Sequence, residues 1–226
     1  MILAHRRPAA AAAAPPAPEL PRLGPHARPR RRRSLHDQVG AALVEFAIVS
    51  MFLVVVAAGA FDYGMAWRVG LATNEAARTA ARTGSGLGND PLADWYAVSG
   101  AQAALQNSGR LQDVQRVVIY RADSANGAVP SACTTATSTT EKCIIFTGAQ
   151  FRALTQASFN ITTTGCPSGS KALVANWCPS SRNAVQLTAE SYGVWIQTRY
   201  VPQFKMLGSG ITVSREAVMR LEPEVS

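Results

Sequence analysis

The sequence predicts an α+β fold in which a long N-terminal helix precedes a domain built on an antiparallel sheet. Three observations carry that prediction. Residues Ala41 to Phe61 form an apolar run of 21 residues with one ionisable group, Glu45. The chain then stays alanine-rich and free of proline to Arg82, which favours continued helix. Beyond residue 110, β-branched and aromatic runs alternate with segments rich in Gly, Pro, Ser and Thr, the pattern of strands and turns.

Residues 1–40 form a leader of different composition. They hold eight of the 22 basic groups, two of the 14 acids, all three histidines and seven of the 13 prolines. Prolines lack amide donors and restrict the residues before them, so this leader is expected to be disordered. Residues 41–226 contain no histidine. A Ser-His-Asp or Cys-His catalytic centre, or a His-ligated zinc site, would need an imidazole on a folded scaffold. No catalytic residue set, metal site or cofactor is therefore expected, and the protein reads as a non-enzyme. The pI of 9.9 arises mostly from one arginine-rich segment rather than a basic face, so no nucleic-acid partner is expected.

As a helix, Ala41–Phe61 would measure about 31 Å, close to the hydrocarbon thickness of a bilayer. It reads as a single membrane span, with lipid as its first partner. Arg30, Arg31, Arg32 and Arg33 precede it, whereas the next basic residue beyond it is Arg68. By the positive-inside rule these four arginines are a topology signal that keeps the N-terminus cytoplasmic and places the remainder outside the membrane. Glu45 is the exception in the run. A carboxylate in the apolar phase costs up to about 3 kcal/mol, less near a helix end, so either it snorkels or sits protonated at the cytoplasmic interface, or it recruits a positive partner.

The stretch Val39-Gly40-Ala41-Ala42-Leu43-Val44-Glu45-Phe46 resembles the processing site of type IV pilin-like proteins. More narrowly, GAALVEFAIV, the FDYG at Phe61 to Gly64, NEAARTAAR at Asn74 to Arg82 and SREAVMRLEP at Ser214 to Pro223 look like the TadE family, pseudopilins or minor pilins of the tight-adherence (Flp) pilus system. Residues 1–38 and about 130–180 fall outside the resemblance. The resemblance implies cleavage by a prepilin peptidase between Gly40 and Ala41, and subunit interaction through Glu45. It further implies other pilins or pseudopilins and the Tad secretion machinery as partners, and a bacterial membrane location associated with pili and adhesion. A competing signal-peptidase site, Ala58-Gly59-Ala60, would instead leave Phe61 as the first residue of a secreted protein. An alternative function is a membrane-anchored or secreted surface-binding module with a site at Trp177, Tyr192 and Trp195.

Past the span, residues 62–84 extend the helix, and Tyr63, Trp67, Gly70, Ala77 and Ala81 approximate one packing face. Glu75 and Arg78 are available as an i,i+3 pair. The run Gly84-Ser85-Gly86-Leu87-Gly88 ends the helix; no strand precedes it and no Lys-Ser/Thr pair follows, so it is a turn and not a phosphate cradle. Residues 85–226 form the exported domain. Asp90-Pro91 signals the start of a second helix over 91–107. Strands are expected at Val114–Arg121, Cys143–Thr147, Ser158–Thr163, Ala184–Ala189, Gly193–Tyr200 and Ile211–Leu221. Cys133, Cys143, Cys166 and Cys178 lack zinc-type spacing and face an oxidising exterior, so disulfides are expected. Three connectivities are possible; local pairing of Cys133 with Cys143 and Cys166 with Cys178 is preferred, because each pair brackets a loop without a core of its own.

Overall fold

The computed structural model describes residues 35–123, 127–185 and 187–222; the expectations for the leader and for Arg30 to Arg33 lie outside them. The chain divides into two units, Met1–Ala47 and Ile48–Ser226. Within the first, the described residues are helical and belong to α1 (Leu35–Gly86). The second holds the rest of α1 and the folded domain, which is α+β with a five-stranded antiparallel sheet.

From Val69 onward α1 buries one face: Val69, Thr73, Ala76, Ala77, Ala80 and Ala81. Steps of one, three and four residues keep these side chains on one stripe. Their small size lets the helix backbone approach the sheet. At Gly84 the approach is closest, since a Cβ there would lie 2.4 Å from the Tyr192 ring. Thr73 Oγ1 donates to the Val69 carbonyl and lies 3.0 Å from Thr198 Oγ1, which satisfies two hydroxyls buried between helix and sheet. The buried stripe is rotated from the face expected from sequence. Ala77 and Ala81 are buried, but Tyr63 and Trp67 are more than 60% exposed, because the sheet packs along the narrower side that small residues provide.

The helix ends at Gly86, and Gly88 follows at φ +57°, its amide donating to Ser85 O. Only glycine enters that left-handed region freely. Asp90 Oδ1 then accepts from Leu92 N at 2.7 Å, and α2 (Ala93–Asn107) starts two residues after the expected Pro91. Its Ala97, Val98, Ala101 and Leu105 pack with the alanines of α1.

The strands are β1 (Val114–Ala122), β2 (Cys143–Thr147), β3 (Val174–Ala175), β4 (Ser191–Tyr200) and β5 (Ile211–Arg220), in the order β3-β2-β1-β4-β5. Alternation divides central β1 between two cores. Val117 and Ile119 join the layer containing α1 and α2, whereas Val118 and Tyr120 join a second cluster with Ile145 and Trp195. That second face is covered by the segment around the short helix α3 (Ser131–Thr135), held by the Cys133–Cys143 disulfide with Cα atoms 6.4 Å apart. A second disulfide joins Cys166 and Cys178 with Cα atoms 5.0 Å apart. Closing loops of this size removes unfolded-chain entropy worth about 2–4 kcal/mol each. The helix α4 (Gly148–Ala153) begins with a capping box formed by Thr147 and Gln150.

Two expected strands do not form. Ser158–Thr163 contributes one bridge, Phe159 to Pro167, amid turns. In Ala184–Ala189, the Asn183 side chain accepts from Val185 N and donates to Thr188 O, a local arrangement that competes with strand pairing. Strand β3 was not expected; at two residues it is too short for alternation to show.

A candidate assembly site on the N-terminal helix

Gly40, Ala41 and Glu45 all lie on exposed helix in α1. A side chain added at Gly40 would meet nothing within 4 Å. Ala41 and Glu45 are four residues apart, one turn, and so share a helix face. No ion pair to Glu45 forms among the described residues. From Ala41 to Phe61 no side chain is buried, and the apolar surface includes Leu43, Phe46, Ile48, Phe52 and Val54. Among the described residues, α1 is the helix long and apolar enough to cross a membrane. An apolar face of this size with no buried side chain requires an apolar surrounding or a partner helix.

The run ends sharply at Asp62, which is fully buried. Its two carboxylate oxygens accept from the backbone amides of Phe204 and Met206, each at 3.2 Å. These amides belong to the loop between β4 and β5, so the residue that follows the apolar run is a fixed attachment point for the sheet. Sequence reading gave Asp62 no role, because its partners lie over 140 positions away.

Family comparison bears on the same helix. The family model described as TadE-like protein matches residues 40–82. This segment is TadE-like. The match begins at Gly40, includes Glu45 and Asp62, and ends where the buried alanine stripe ends, in α1. The SREAVMRLEP segment, most of which lies on β5, falls outside the match. No curated protein matches the chain significantly, and no solved structure does.

The aromatic residues considered for a surface-binding site are buried. Trp177 and Tyr192 are at most 1% exposed and lie in the main core, and Trp195 is 8% exposed on the opposite sheet face. Trp177 and Tyr192 instead enclose Arg182, whose guanidinium carbon sits 4.4 Å and 4.9 Å from their ring centroids. Arg182 also bonds both oxygens of Asp94 at 2.8 Å, and Tyr192 donates to Asp94 Oδ1 at 3.0 Å. Burial raises the Asp94 pKa, opposed by the charge and hydrogen bond of Arg182 and by the Tyr192 hydroxyl. This cluster joins α2 to β4 and the loop after Cys178, and its partners make it a core element. Glu190 ties the same region together. Burial pushes its carboxyl up, but hydrogen bonds from Asn183 N, Trp177 Nε1 and Arg121, with the Lys142 charge nearby, leave it below the ordinary glutamate range.

Proposed function

We propose that this protein is a structural component of Tad pilus assembly, a TadE-like minor pilin. It is anchored by Ala41–Phe61 with its N-terminus in the cytoplasm and is processed by a prepilin peptidase between Gly40 and Ala41. The reading is carried by the coincidence of three features on one helix: a family match that starts at Gly40, the acid Glu45 five residues on, and an apolar run in which no side chain is buried.

Cleavage would have two physical consequences. It would remove the leader with its excess of arginine, the part that opposes movement out of the membrane. It would also create an amine on Ala41. A neighbouring subunit staggered along the axis would bring its Glu45 to that amine, and an ion pair in low dielectric fixes register because each unpaired charge is costly there. Other pilins or pseudopilins are the partners in this scheme, and the exported domain is the part that faces outward. The mature N-terminus, determined by mass spectrometry in pilus-producing cells with and without the peptidase, tests the proposal. Ala41 in the first and Met1 in the second is the expected pair. Met1 in both removes processing, and Phe61 replaces the pilin-type reading with a secreted protein.

A further inference from the structure

The loop joining β4 to β5 carries surface that the domain does not use. Val201 and Phe204 are each 56% exposed, and Met206 and Leu207 are substantially exposed beside them. An apolar hairpin tip in water is a liability. This one is also held at a particular place. Asp62 bonds the amides on both sides of Lys205, and the Phe204 ring meets Phe61 edge-on with centroids 5.8 Å apart. Phe61 is the last residue of the apolar run, so the loop is fixed at the end of the span. Lys205 adopts φ +55°, a left-handed conformation rare for side-chain-bearing residues. In that conformation successive amides can converge on one carboxylate. The loop is thereby shaped around Asp62 while its apolar residues remain outside.

The surroundings extend the same chemistry. Tyr63 and Trp67 on α1 are exposed, and they line a groove of about 330 Å³ together with Leu71, Leu207 and Val213. Amphipathic aromatic rings at the end of a span are suited to the headgroup region, and an ammonium amid apolar residues suits lipid phosphates.

We propose that the Val201–Leu207 loop is a second membrane contact: Val201, Phe204, Met206 and Leu207 enter the boundary between headgroups and acyl chains, and Lys205 meets lipid phosphate. The occupant is the bilayer because the loop is clamped to the residues where the span ends and continues their apolar surface. With two attachments, the domain cannot turn freely about the axis of α1, so its orientation on the membrane is set before assembly. The inference rests on the membrane placement of Ala41–Phe61 and is tested so that the two can fail separately.

The full chain is placed at one copy per nanodisc of phosphatidylcholine and phosphatidylglycerol, with and without bromine on the acyl chains, in separate preparations brominated at upper and at deep positions. Tryptophan is introduced singly by Phe204→Trp, Met206→Trp, Phe52→Trp or Leu187→Trp, and the emission of the unsubstituted chain is subtracted. Leu187 is exposed and lies before β4, at the other end of that strand from the loop. The proposal expects bromine to remove roughly half or more of the added signal at 204, 206 and 52, as for rings at acyl depth, and little at 187. Quenching at 52 with 204 and 206 behaving like 187 overturns the loop contact and leaves the span standing. Absence of quenching at 52 as well overturns both.

Discussion

The two halves of α1 share one backbone conformation but are solvated by different things. Residues 41–61 present leucine, valine, phenylalanine and isoleucine with no buried position, whereas from Val69 to Ser85 the helix turns a stripe of alanine, threonine and glycine into the sheet. In the first half large apolar side chains face outward, as a helix in lipid requires. In the second, small ones face inward, where a sheet must come within reach of the helix backbone. Hydrophobicity alone does not distinguish core from membrane; side-chain size and the direction of the apolar face do.

Disrupting the domain without touching the span should give the largest separation. Asp94→Ala leaves Arg182 buried without its carboxylate, and loss of one partner of a buried pair costs about 3–5 kcal/mol. Thermal unfolding of the domain should show that loss, while the full chain should still resist alkaline extraction from membranes. The converse is Val54→Lys. A lysine near the middle of a span costs about 3 kcal/mol of insertion free energy. The fraction released by alkaline carbonate should therefore rise while the unfolding temperature of the domain stays the same; an unchanged membrane fraction would break the comparison.

Glycine to alanine makes the same change in both halves. At Gly59 an added Cβ meets nothing within 4 Å, but at Gly84 it overlaps the Tyr192 ring. Gly84→Ala should cost about 1–3 kcal/mol by overpacking, whereas Gly59→Ala should leave domain stability alone and favour helix by up to about 1 kcal/mol. Denaturant titration of each variant measures the difference. The smallest effect concerns acid. Because the folded-state pKa of Glu190 is lowered, its contribution is present above the ordinary value of 4.5 and lost as pH falls through the lower folded value. Glu190→Gln should therefore flatten the decline in stability below about pH 4.5, followed by unfolding across a pH series.

Much of the helix is legible in the sequence, because its signals are local. A long apolar run, a lone Glu45 and an absence of proline are each read from neighbouring positions. The same holds for β1, β2, β4 and β5, whose β-branched runs were long enough to show. The α+β class followed from these elements. What escaped were the features that depend on distant partners. Asp62 meets amides at 204 and 206, and Asp94 meets Arg182 across 88 positions; no spacing rule relates such residues. The rotated packing face of α1 escaped for a related reason. Tyr63 and Trp67 fit the helical period of Ala77 and Ala81, but the sheet selects the side with the least bulk. Ser158–Thr163 and Ala184–Ala189 had strand-like composition, but the first keeps a single bridge, Phe159 to Pro167, and in both local hydrogen bonds prevailed.

The division of α1 is tested most directly by removing its first half. The chain from Asp62 to Ser226, exported without a span, should remain in the supernatant after high-speed centrifugation, unfold in one cooperative transition and retain both disulfides, while the full chain sediments with membranes after alkaline carbonate. A shortened chain that cannot fold, or a full chain that carbonate releases, would contradict the account, because the apolar half would then belong to the domain core or to no membrane at all.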